Sequence, residues 1–205
     1  DAGEDGVVDF VLGSCNLSNT DLQLPPYMNL PVTCTVTTIN HIPGIIPLQD
    51  NVVGYFDVTL SGIGDGYDIS NISYGVNCFN RQVTIALPET YTLDVRSSLY
   101  PEYMTGPCKN LSWDKANWLI NHLNMFPGYT WSDIQQAFWK IEDPTWNMAE
   151  HGQVPAGTAI ATAMYLAAAA NGEGYVPLPG GWAGVALESP SGVPATQCIF
   201  LRIDP

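Results

Sequence analysis

Positive charge is what this 205-residue chain most conspicuously lacks. Lysine and arginine number 6 together against 20 aspartates and glutamates, for a formal net charge of −14. A surface so acidic repels phosphate backbones and anionic lipid headgroups, which argues against nucleic-acid binding and against insertion into a membrane. No apolar run approaches the roughly 20 residues that cross a bilayer. The smoothest apolar stretch, Ala159 to Ala170, is alanine-rich, is interrupted by Thr162 and reads as a buried helix. No CxxC pair occurs among the five cysteines, so a zinc centre is not expected. The glycines form no phosphate-binding pattern, and no Gly-x-Ser-x-Gly elbow or calcium loop is present. Asp65-Gly66-Tyr67-Asp68 and the acids between Asp1 and Asp5 read as turn-formers. The sequence therefore implies neither a metal nor a cofactor.

What is present is apolar and β-rich. Hydrophobic residues make up 46% of the chain and charged residues 13%, a composition that folds rather than staying disordered. Asp1 is no native start, so a cleaved leader is expected before it, and with it a secreted, cell-surface location. Asn-x-Ser glycosylation sites occur at Asn16, Asn71 and Asn110. An odd cysteine count in an oxidising compartment leaves one thiol over after two disulfides form among the other four.

The first hundred residues read as strands: Val7 to Leu12, Val32 to Ile39, Val52 to Leu60, Gln82 to Ala86 and Thr90 to Val95, separated by Pro and Gly. The period then changes. Ser112 to Asn124 carries Ala116, Leu119, Ile120 and Leu123 on one helical stripe, with Ser112 as N-cap. Thr130 to Ile141 forms a second helix with Thr130 and Asp133 at capping-box spacing. A third runs from about Pro155 to Asn171, with Gly172 at C′. Trp182 to Leu187 and Gln197 to Ile203 return to β. The expectation is a single α+β domain over residues 1–205: an antiparallel β-sandwich or barrel, mainly β over 1–100, with an insertion of about three helices over 110–172 and closing strands over 173–205.

Several stretches together resemble one family. They are Asn77-Cys78-Phe79, Thr90-Tyr91 to Ser97-Ser98-Leu99-Tyr100, Asp114-Lys115-Ala116-Asn117-Trp118-Leu119-Ile120-Asn121, Tyr129-Thr130-Trp131, Asp133-Ile134-Gln135-Gln136-Ala137-Phe138-Trp139, and Ala167 to Gly172 with Gly174-Tyr175-Val176-Pro177. Their order and spacing resemble the thioester domains of bacterial surface adhesins, from about Cys78 to Pro205. The resemblance implies that a strand Cys, here Cys78, joins the side chain of a helix Gln. Gln135 matches that position because Ala137, Phe138 and Trp139 follow it; Gln136 is the fallback. The family places an aromatic residue before its Cys, where this chain has Asn77.

A thioester needs a Cys and a Gln held in contact, and proximity supplies most of the rate. It needs water excluded, a task suited to Phe79, Phe138 and Trp139. Its target is an amine on a partner protein or surface, captured once without turnover, so no enzyme activity is expected. Lysines are few, at Lys109, Lys115 and Lys140, which suits a chain carrying an electrophile and equally suits any acidic extracellular protein. Cys15 with Cys34 and Cys108 with Cys198 is one of three pairings that leave Cys78 alone. His41, His122 and His151 share no motif, and His122 reads as a helix-rim residue. Packing accounts for Trp118, Trp131 and Trp139. Two other functions suit the same sequence: a subunit of an extracellular filament or surface layer, with Val7 to Leu12 adding to a neighbour's sheet, and a non-covalent carbohydrate- or peptide-binding module.

Overall fold

The computed structural model describes residues 28–39, 55–81, 83, 85–109, 112–147 and 158–204. The strand expected at Val7 to Leu12, along with Cys15, Asn16, His41, Asn110 and His151, lies outside them. Six strands occur among the described residues: β1 (Thr33–Ile39), β2 (Tyr55–Ser61), β3 (Ser73–Cys78), β4 (Thr90–Ser97), β5 (Ala183–Glu188) and β6 (Ile199–Ile203). They close into an antiparallel barrel in the order β1-β2-β3-β6-β5-β4. Of the two frameworks expected, the strands form the barrel.

Among the described residues, three α-helices fall between β4 and β5 in the chain: α1 (Trp113–Asn121), α2 (Trp131–Glu142) and α3 (Ala159–Asn171). The α2 capping box forms as its spacing predicts. Thr130 accepts from the Asp133 N–H, and the Asp133 carboxylate accepts from the Thr130 N–H at 2.7 Å. The other Asp133 oxygen accepts from the Thr158 hydroxyl, and Thr158 is the N-cap of α3. One buried carboxylate thus fixes the starts of two helices. Ser112 precedes α1 without making a side-chain cap bond. Gly172 ends α3 at φ −93°, an ordinary right-handed conformation in place of the left-handed C′ residue expected. Its small size matters for a different reason: a Cβ there would lie 2.6 Å from Ala168 O and 2.7 Å from Lys115 Cα.

Alternation along the strands divides the apolar residues into two cores. Val36, Val58, Val76, Val185 and Leu201 fill the barrel. Phe79, Leu119, Ile134, Phe138 and Phe200 fill the layer between the barrel wall and the helices. One strand expectation fails and one strand was not expected. Gln82 to Ala86 is not a strand among its described residues, which precede the cis Leu87–Pro88 bond. β3, Ser-Tyr-Gly-Val-Asn-Cys, has weak strand propensity and is set by its neighbours, pairing with β2 along most of its length and with β6 at Asn77–Phe200 and Cys78–Ile199.

Candidate functional site

Cys78 is the last residue of β3 and lies at the boundary between the two cores. Its strand is firmly held. Phe79 N–H donates to Cys198 O at 2.8 Å, and Asn80 Oδ1 accepts from Cys198 N–H at 2.8 Å. Cys198 is bonded in turn to Cys108, with Cα atoms 5.4 Å apart, as that pairing anticipated. The pairing of Cys34 with Cys15 falls outside the described residues. Among them Cys34 is a free thiol buried on the inner face of β1. Burial pushes the Cys34 thiol up to about 11.

Gln135 projects from the second turn of α2 onto the end of β3. Its carboxamide makes a two-point pairing with one residue's backbone: Oε1 accepts from Cys78 N–H at 3.0 Å, and Nε2 donates to Cys78 O at 2.5 Å. Asn77 Nδ2 donates to the same Oε1, also at 3.0 Å. A backbone N–H only donates and a carbonyl only accepts, so the pairing fixes which end of the carboxamide is oxygen. It also sets the carboxamide carbon across from the Cα that carries the Cys78 side chain. Gln135, Cys78 and Asn77 are all buried. The Cys78 thiol is raised well above its ordinary range by desolvation, so it is held as the neutral S–H.

Gln136 is turned away. One residue along a helix is a rotation of about 100°, which carries its Nε2 to Ser132 Oγ on the preceding turn at 3.1 Å. Helix phase therefore separates two adjacent glutamines that their residue type could not. Phe79 and Phe138 pack edge to face at 5.3 Å in the helix-side core, whereas Trp139 belongs to the barrel core and meets Trp146 at 5.6 Å. The three expected shielding aromatics thus do not form one wall. They lie in the two apolar bodies between which the Cys78–Gln135 pairing sits.

The remaining motif residues do structural work. Asn117 Oδ1 accepts from Ser98 Oγ and from Gly184 N–H, both at 3.0 Å, and the Asn121 side chain bonds to Trp182 through its N–H and its carbonyl. These two asparagines tie α1 to β5. His122 caps α1, its ring stacked on Trp118 at 4.3 Å. Trp131 is half-buried and shares the Arg202 guanidinium with Trp182, at 4.9 and 5.1 Å. These three residues and Gly75 border a cavity of about 520 Å³ beside the β3–β6 seam, with Asp68 and Asp204 in its wall. Neither Cys78 nor Gln135 is among the residues that line this cavity.

Of the sequence-level candidates, the structure brings Cys78 and Gln135 together. It adds Asn77, whose signal in the sequence was a polar residue at the position where the resemblance calls for an aromatic one. Fold and site together define a closed β-barrel, covered by three helices, that buries a paired cysteine and glutamine. No protein family, curated protein or solved structure matches the chain.

Proposed function

We propose that the chain is an extracellular surface domain in which Cys78 and Gln135 condense to an internal thioester that captures an amine of a partner protein or surface. The observation that carries this reading is the docking of the buried Gln135 carboxamide on the backbone of Cys78, with both side chains shut away from water. Sγ attacks the carboxamide carbon, the C–N bond breaks, and Nε2 leaves as ammonia carrying the thiol proton. In the capture step an amine bonds the same carbon, the C–S bond breaks, and the amine's proton passes to sulfur. By microscopic reversibility the incoming nitrogen occupies the place ammonia left, beside Cys78 O.

A raised thiol pKa makes thiolate scarce and the first step slow. The geometry offsets this: reacting groups held in place reach effective molarities of about 10⁵–10⁸ M, and the bond need form only once. Two of the chain's three lysines are occupied. Lys140 donates to Pro144 O at 2.7 Å and to Trp146 O, and Lys115 pairs with Glu173 at 2.8 Å. The buried Cys108–Cys198 disulfide supports a secreted location. Intact-protein mass spectrometry of fresh material tests the reading. The expected mass is lower than the sequence mass, after allowance for disulfides, by one ammonia, and methylamine restores one methylamine to it. An undiminished mass, or a deficit that survives Cys78→Ala, refutes it.

A further inference from the structure

We infer that Asn77 and the Cys78 N–H form an oxyanion hole for the chemistry of Gln135, so that Asn77 is a catalytic residue as well as a packing one. The inference rests on the thioester reading and concerns how that bond is made and opened. Two donors already converge on Gln135 Oε1 at 3.0 Å each, one from a side chain and one from the backbone of the next residue. Donors that stabilise a developing oxyanion stand about 2.7–3.1 Å from it. Thiol attack makes the carboxamide carbon tetrahedral and moves negative charge onto Oε1. Loss of ammonia leaves that same oxygen as the thioester carbonyl oxygen, and amine attack charges it a second time. The two donors therefore serve both steps without rearranging.

Asn77, Cys78 and Gln135 are all buried, which strengthens such bonds. Asn77 is also rigidly placed. It sits in a two-sided ladder, opposite Tyr55 on β2 and Phe200 on β6, and its side chain faces α2, the helix that delivers Gln135. An aromatic side chain there would pack against the helix but offer no strong donor to Oε1. The departure from the family pattern at this position therefore supplies a function.

The test uses Asn77→Ala and Asn77→Leu, the latter nearly isosteric but with no donor to offer Oε1. Ammonia loss and methylamine capture are followed by mass spectrometry on the full chain, with the folded state checked by thermal melting. Both steps should slow by about 10²–10³-fold in each variant, the loss typical of one oxyanion donor, and hydrolysis of any thioester formed should slow with them. A merely structural role predicts the opposite for hydrolysis, because a loosened site admits water and hydrolyses faster. Wild-type rates in folded variants overturn the role of Asn77 and leave the thioester reading standing. A wild-type chain that never loses ammonia overturns both. Should neither variant fold, infrared spectroscopy of the wild-type protein decides. A thioester carbonyl band lowered relative to a free thioester supports two hydrogen bonds, and an unshifted band overturns them.

Discussion

The covalent bond and the hydrogen-bonded pairing differ in a quantity that thermal melting can read. The perturbation is a double-mutant cycle of Cys78→Ala and Gln135→Glu at about pH 5, where burial keeps a carboxyl at this position protonated. Glutamic acid fills the space of Gln135, accepts the same two hydrogen bonds and donates to Cys78 O, yet it has no ammonia to lose. The hydrogen bonds of Gln135 go to the backbone of Cys78 and to Asn77, not to the thiol. Alanine at position 78 therefore leaves them intact. Without a covalent bond the two substitutions are close to independent. Each costs about 1–2 kcal/mol, one for lost packing at a fully buried site and the other for a less suitable hydrogen-bonding group.

A thioester changes this. It closes a loop between residues 57 apart in sequence, and the chain-entropy relation for cross-links assigns such a loop about 4 kcal/mol. Either substitution then removes the cross-link, so each costs about 5–6 kcal/mol, while the pair together costs about 6–8 kcal/mol because the cross-link is lost only once. The coupling is about 4 kcal/mol, or roughly 8–16 °C in Tm for a domain of this size. Melting the four proteins under identical conditions, with the mass of each recorded beforehand, gives the answer. A coupling below about 1 kcal/mol in fresh wild-type protein refutes the covalent reasoning.

Two further predictions follow from other buried groups. The Cys34 thiol ionises at about 11 in the folded chain, against 9.0 ordinarily. Its contribution to stability is therefore complete below about pH 9 and is lost as pH rises through about 11, a total of about 2–3 kcal/mol; melting from pH 8 to 11 should show a decline in the wild type that is smaller by that amount in Cys34→Ala. Asp133 accepts from the N–H and hydroxyl of Thr130 and from the hydroxyl of Thr158. Asp133→Ala should cost about 3 kcal/mol, or roughly 6–12 °C in Tm, whereas Thr130→Ala should cost about 1 kcal/mol. Because Asp133 starts the helix that carries Gln135, Asp133→Ala should also slow ammonia loss, and an unchanged rate would separate the cap from the site.

Local chemistry, readable in the sequence, fixed the start of α2 and much of the strand pattern. Thr130 and Asp133 form their box because both partners lie within one turn, and β1 is extended because its β-branched residues alternate on two faces. Cys78 and Gln135, far apart in the chain, were nominated by the resemblance of several stretches together to thioester domains, since the helical motif around Gln135 alone would suit any amphipathic helix. Tertiary structure decided everything that depends on distant partners. Ser73 to Cys78 is a strand because β2 and β6 flank it, whereas the more β-like Gln82 to Ala86 is not a strand among its described residues. Closure into a barrel rests on the short β3–β6 seam, which joins the third strand to the last, across all three helices in sequence. The choice between Gln135 and Gln136 came from how α2 is rotated against the barrel. Asn77 reads in one dimension as a missing aromatic; only the packing of α2 on β3 brings its amide to Gln135 Oε1, because hydrogen bonds depend on positions in space that no local pattern records.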